Sequence, residues 1–316
     1  VLTAGQGKIV AANDHLRNMR TGEGIRISSV AVDTLTIARG VGQAVTTPAA
    51  AINAGDTLLV VADAQPQGSD FPSPRYLARV LGFNYTQITR TTWSFTGTQT
   101  AIELYGGREP AKEAVRKARE HKRKWEAIGF WGMRNFSAAV PPENEPQGVA
   151  GGALEFIQTF HRDANGPLTV DYFDQFLSDV FQYGTHDKVL FASPMFVAAM
   201  SKWNRTGMGQ YYEAPNGGTV HGVHVDAFIS GAYGYRVPVV VKTEWGQFPT
   251  TNKGFGTYAM LLDLSYIEQR PLRDRDTKLI TEQQPKGKDV YSAEYFREAT
   301  YEFANEKAHG IMYGIT

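Results

Sequence analysis

The chain has 316 residues, 42% of them hydrophobic and 20% charged, which suits two or three globular domains at roughly 100–200 residues each, or one large elaborated one, and excludes a disordered chain. Its 32 Lys and Arg balance 32 Asp and Glu, which argues against a protein built wholly around nucleic acid, permits a local basic patch, and leaves little repulsion between copies. The absence of cysteine excludes disulfide scaffolds, thiol nucleophiles, iron–sulfur clusters and zinc sites built on cysteine.

Residues 1–95 read as β structure. Gly24 to Val30 and Thr34 to Arg39 alternate apolar and polar side chains, and Val32-Asp33 between them reads as a hairpin connection. Ala54-Gly55-Asp56 is a turn before a short apolar strand, Thr57 to Val61, and the proline-rich stretch from Gln65 to Arg75 is a loop. A helix then begins at Pro110, where a missing N–H costs nothing, and runs to about Ile128. Ala111, Ala114, Val115, Ala118, Trp125 and Ile128 recur at helical spacing as its apolar face, and Gly129 and Gly132 are placed to end it.

Residues 139–152 read as a Pro/Gly loop. Phe173, Phe176, Leu177, Val180 and Phe181 mark a helix capped by Thr169 or Asp171, and a second opens at Ser193-Pro194, with the strand Lys188 to Ala192 between them. Two long strands are expected from Val220 to Trp245, another from Thr257 to Glu268, and a late helix or twisted strand near Ala293–Glu306. No apolar run approaches the roughly 20 residues of a membrane-spanning helix, and Val1 to Gly5 has neither part of a signal peptide.

The usual enzyme signatures are missing, and no catalytic, cofactor-binding or metal residue is assigned. Gly5-Gln6-Gly7-Lys8 departs from a phosphate loop at Leu2 and Ile9, and Asp274-Arg275-Asp276 departs from a calcium loop at Lys278 and Leu279. His224 and Asp226 would share one face of a strand, with His221 on the other, which is too few ligands for a metal site without help from elsewhere. Asn84, Asn135 and Asn204 each open a glycosylation acceptor pattern and are read as chance matches. One charge pattern stands out. Lys112, Arg116, Arg119 and Arg123 follow one another at spacings of four, three and four, so they form a stripe on the side of the long helix away from its apolar face. Such a stripe can follow phosphates or can simply be a solvated helix face.

The order of these features resembles the major capsid proteins of tailed bacteriophages with the Hong Kong 97-like fold, in the branch with an elaborated β-rich extended loop. The resemblance is carried by Asn84 to Ile88 and the polar stretch Thr91 to Thr100, by Gly107 to Trp131 as the "spine" helix, and by Gly151 to Ile157 as the glycine turn into the axial domain. Tyr233 to Val240 is similar to that family's Gly–Val-Pro-Val strand pair, and Ala308 to Ile311 to its closing strand. The resemblance implies an α+β fold divided as 1–95 (N-terminal segment and extended loop), 96–150 (first part of the peripheral domain, with the spine helix at about 110–128), 151–252 (axial domain) and 253–316 (return to the peripheral domain). In such families the region before this point is often cleaved during maturation; the start at Val1, without an initiator methionine, fits that and equally fits a numbering that begins inside a longer chain.

It also implies a role. The expectation is a non-enzymatic subunit that forms hexamers and pentamers, closes into an icosahedral head around double-stranded DNA, and is assembled in the host cytoplasm to become part of the virion. No cofactor and no membrane partner are expected. Decoration, scaffolding and portal proteins are further expected partners, and the stripe of Lys112, Arg116, Arg119 and Arg123 would face DNA or an acidic scaffolding segment. An encapsulin-like compartment shell is the alternative. A β-rich hydrolase and a free nucleic-acid-binding module are remoter ones.

Overall fold

The computed structural model describes residues 2–3, 5–42, 51–72, 81–102, 109–205, 212–213, 227–229 and 234–316. They fall into two compact units, Val1–Gly82 and Phe83–Thr316.

The first unit is an antiparallel sheet of β1 (Asp14–Asn18), β2 (Gly24–Ala31), β3 (Thr34–Arg39) and β4 (Leu58–Asp63), in the order β3-β2-β1-β4. The alternation in β2 does what its period requires: Ile25 and Ile27 are buried, Arg26 and Ser28 exposed. Leu16, Ile25 and Ile27 form a small core, with Val30, Leu35, Ile37 and Leu58 packed around it. Val32 and Asp33 make the expected two-residue turn, with Val32 in the left-handed region at φ 56°. The Asp33 carboxylate fixes this corner by accepting the N–H groups of Gly5 and Gly7 at 3.0 and 2.8 Å. Gly7 has to be glycine, since a Cβ there would meet the Val32 carbonyl oxygen at 1.6 Å. Two forked ion pairs, Arg20 with Asp56 and Arg39 with Glu23, tie the strand ends.

The second unit is α+β. In chain order it contains β5 (Gln87–Thr96), α1 (Gly97–Ala101), α2 (Glu109–Trp131), β6 (Asn135–Val140), β7 (Glu145–Val149), α3 (Ala153–Phe156), β8 (His161–Gly166), α4 (Val170–Phe181), β9 (Lys188–Ala192) and α5 (Pro194–Arg205). There follow β10 (Tyr212–Glu213), β11 (Ala227–Ile229), β12 (Arg236–Val241), β13 (Ala259–Asp263), β14 (Ile267–Pro271), β15 (Lys278–Ile280), β16 (Val290–Phe303) and β17 (Gly310–Ile315). A seven-stranded mixed sheet runs β10-β11-β12-β9-β13-β17-β8. In a second sheet the 14-residue β16 pairs with β5 along one edge and with β14 and β15 along the other.

Strand β13 is buried along its whole length because both faces are covered. Ala259 and Leu261 join a core with Phe173, Phe176 and Leu177 of α4 and Phe196 and Met200 of α5. Met260 and Leu262 face the other way, toward Phe130 of α2, Ile157, Trp245 and Ile311. Each fully buried side chain of this kind stabilises by roughly 1.5–3 kcal/mol, so these two layers are the main source of the unit's stability.

Several expectations change. The 139–152 stretch is not a loop but the hairpin β6–β7, turning at the cis Pro141–Pro142 bond. The apolar run 257–268 is two strands in different sheets, because a 3-10 turn at Leu264–Tyr266, capped by the Asp263 carboxylate on the Ser265 N–H, carries the chain from one to the other. The ambiguous segment near 293–306 is a strand, held by partners on both edges. The long helix continues through Gly129 to Trp131. That glycine leaves room for the Tyr301 ring, which a Cβ would approach to 2.9 Å. The segment with His221, His224 and Asp226 lies outside the described residues.

Candidate nucleic-acid interface on the long helix

Helix α2 is 23 residues long, and its buried face is narrower than its composition suggests. His121, Trp125 and Phe130 are buried, Ala114, Ala118 and Ile128 are half-buried, and Ala111 and Val115 are exposed. Val115 lies about 80° round the helix from Trp125, which puts it beyond the edge of the packed sector. The inner face is pinned to the second sheet. The Tyr301 hydroxyl donates to the Trp125 carbonyl at 2.8 Å, and Arg297 lies 4.8 Å over the Trp125 ring. Burial pushes the Tyr301 hydroxyl pKa up, so it stays a donor. Lys124 Nζ donates to Thr91 Oγ1 at 3.1 Å, and that hydroxyl lies 3.2 Å from His121 Nδ1. Burial lowers the His121 pKa, so this histidine is neutral at neutral pH and adds no charge to the helix.

The basic residues take the opposite side. Arg116, Arg119 and Arg123 are exposed, and Lys112 is half-buried at the stripe's edge. They lie about 120–180° from Trp125 around the helix axis. Lys122, absent from the stripe read in the sequence, is also exposed beside them. Its signal is weaker because it falls roughly 60° outside that sector. Arg116 contacts Glu109 at 3.4 Å and Glu113 at 3.2 Å, while Arg123 is 3.6 Å from Glu244. All of these are solvated pairs of small net worth, so a competing anion can displace them. Among the described residues, Lys112 and Arg119 have no carboxylate within 4.0 Å. Lys117 and Lys124, on the flank, are both held by Glu120. Over Glu109–Trp131, seven lysines and arginines outnumber four glutamates, a surplus of three.

The helix ends against the glycine turn. Asn84 organises that junction: its amide donates to the carbonyls of Gly151 at 3.0 Å and Tyr301 at 2.9 Å, while its oxygen accepts from the N–H groups of Gly151 and Tyr85. Asn84 is therefore a structural bracket inside its acceptor-like tripeptide. Among the described residues, no three His, Asp or Glu side chains are grouped to hold a metal, and no helix is long and apolar enough to cross a membrane.

A chain of the satellite phage P4 procapsid is 12% identical with a TM-score of 0.48, over 84% of this chain and 82% of that one. A chain of Mycobacterium phage Patience is 12% identical with a TM-score of 0.43, over 78% and 76%. The holo-SrpI encapsulin complex of Synechococcus elongatus PCC 7942 gives 13% identity and a TM-score of 0.46, over 73% and 74%. In sequence, the major capsid protein of Pseudomonas phage PaMx41 is 29% identical over 161 residues, which is 50% of this chain but only 37% of that relative's length. The model of the SU10 major capsid protein family matches residues 14–316, nearly the whole chain. The chain therefore belongs to the SU10 major capsid protein family.

Proposed function

We propose that this chain is the non-enzymatic structural subunit of an icosahedral phage head, with the Hong Kong 97-like architecture, forming hexameric and pentameric rings around double-stranded DNA. The family match over residues 14–316 carries the shell role. Identical subunits close a surface through repeated symmetric contacts, which need broad, exposed apolar areas. Strand β4 supplies one: it is an edge strand with Leu59, Val60 and Val61 exposed on both of its faces. Such an edge is a liability in a monomer and an interface in an assembly. On this reading the first unit is the extended loop that packs on a neighbour, α2 is the spine helix, residues 151–252 form the axial domain together with β13 and β17, which share their sheet, and the rest of 253–316, β14 to β16, returns to the peripheral domain. The assembled protein resides in the virion after assembly in the host cytoplasm. Scaffolding, portal and decoration proteins are the remaining partners of such a head.

Within that shell, the stripe of Lys112, Arg116, Arg119 and Arg123 faces packaged DNA or, earlier, an acidic scaffolding segment. The exposure of Arg116, Arg119 and Arg123 on the side of α2 away from Trp125 supports this. Such contacts neutralise phosphates, carry no base reading and weaken steeply with salt. The test is the double substitution Arg116→Glu with Arg123→Glu. Both side chains are exposed, so the free subunit should keep its unfolding midpoint, while particles should hold less DNA and lose it at lower salt. Particles with unchanged DNA content and stability would make the stripe an ordinary solvated helix face. Electron microscopy of the purified protein checks the shell itself, and shells filled with protein cargo and free of DNA would favour the encapsulin-like compartment.

A further inference from the structure

Under α2, where the helix meets both β16 and the seven-stranded sheet, the second unit holds a cavity of about 640 Å³. That volume lies within the roughly 300–1,000 Å³ typical of small-molecule sites. Its lining includes Trp125 and Phe130 from the helix, Phe191 and Leu262 from the seven-stranded sheet, and Tyr295 and Tyr301 from β16. Flat aromatic walls from three separate elements suit a flat aromatic ligand.

The polar groups narrow the class further. Five charged residues line the cavity: Lys122, Glu126, Lys242, Asp276 and Arg297. Four are matched, Lys242 with Glu126 and Arg297 with Asp276. Lys242 Nζ also lies 5.5 and 5.1 Å over the Phe130 and Phe191 rings, which holds it as part of the wall. Lys122 has no carboxylate within 4.0 Å among the described residues, so the lining carries one uncompensated positive charge. Two further lining residues, Trp125 at 3% exposure and His121 at 2%, carry ring nitrogens with no hydrogen-bond partner, Trp125 Nε1 and His121 Nε2. A buried indole N–H without an acceptor is uncommon, and a bound group with an acceptor oxygen would satisfy it.

We infer that this cavity is a binding site for a flat aromatic small molecule bearing a single negative charge, seated between α2 and the two sheets with its anion toward Lys122. Such a ligand would tie the helix to both sheets at once. The inference does not depend on the basic stripe, because none of Lys112, Arg116, Arg119 and Arg123 lines the cavity.

The probes are naphthalene-2-carboxylate and its uncharged relative 2-acetonaphthone, titrated calorimetrically into the full chain. Saturable one-to-one binding is expected for both, tighter for the carboxylate. Ala118 lines the cavity and is half-buried on α2, so Ala118→Phe should weaken both ligands at least about tenfold, or 1.4 kcal/mol. Should that variant misfold by circular dichroism, Thr277→Tyr fills the space from the exposed opposite rim and serves the same purpose. Lys122→Gln, at an exposed position, should weaken the carboxylate by about threefold and leave 2-acetonaphthone unchanged. Absence of saturable binding, or binding that survives a cavity-filling substitution in a folded chain, would overturn the inference. An equal effect of Lys122→Gln on both ligands would overturn its charge.

Discussion

A buried polar cluster in the second unit turns proton binding into stability. Lys188 Nζ is fully buried. It donates to the carbonyls of Tyr183 at 2.9 Å and Ala308 at 2.7 Å, and lies 3.5 Å from Asp263 Oδ2. Burial pushes the Lys188 pKa down, against the pull of Asp263. Burial also works to raise the Asp263 pKa, but hydrogen bonds from Thr185 and the Lys188 charge outweigh it and hold the group ionised. His309 Nδ1 accepts the Asp263 N–H at 3.1 Å, and burial brings the His309 pKa down to about 4. An unfolded chain protonates that histidine near 6.5, so between about 6.5 and 4 the unfolded state binds more protons. The His309 contribution should therefore cost on the order of 3 kcal/mol of stability as pH drops through this window, and the carboxylates held below their ordinary pKa, Asp263 among them, should lower stability further below it. Urea unfolding of wild type and His309→Gln at pH 7.5 and 4.5 checks this: the variant should show the smaller pH dependence. Asn84→Ala removes the bracket at the glycine turn and should cost about 2–3 kcal/mol, read as a lower urea midpoint at unchanged m-value.

Elements depend on where their backbones approach one another. The end of α2 and the start of α3 touch through Gly132 and Gly152, where a Cβ on Gly152 would meet the Ile128 carbonyl oxygen at 2.3 Å and the Gly132 nitrogen at 2.7 Å. Both obstacles are backbone, so Gly152→Ala should destabilise by about 3 kcal/mol, seen as a fall in Tm. Strand β4 poses the opposite case. Val61 is 60% exposed, so Val61→Lys should change the free chain's stability by less than about 0.5 kcal/mol, yet suppress shell formation in electron micrographs. Normal shells from Val61→Lys would remove that edge from the interface. The alternation in β2 and β3 and the 3.6-residue period of α2 are local signals, and the structure contains those elements where the sequence puts them. Strand β16 is a different matter: Glu294, Arg297 and Glu298 suit a helix as well as a strand, and only the edges supplied by β5, β14 and β15 make it extended.

The whole chain should not unfold in a single step. Among the described residues the first unit's core is Leu16, Ile25 and Ile27, while the second packs aromatic layers on both faces of β13. Two units with separate cores of such unequal size are expected to give two transitions in urea, the smaller first. Hydrogen exchange should then find the amides of β1 and β2 opening before those of β9 and β13. Coincident transitions by circular dichroism and exchange would show the units to be one cooperative body.

Local order in this protein was written in the sequence: the hairpin at Val32-Asp33, the long helix with its basic stripe, and the pattern resembling phage capsid proteins. Arithmetic at 100° per residue was enough to place Arg116, Arg119 and Arg123 together, because a helix fixes the angular position of every side chain it carries. Their partners were a tertiary matter, since Glu244 reaches Arg123 from the far side of residues 132–243. The same holds for β5 and β16, whose Arg90–Glu294 pair spans 204 positions, and for the division of 257–268 between two sheets. Periodicity tells each element which side to bury. Which distant element covers that side is decided by packing and strand pairing over the whole chain, and no local window of residues contains that information.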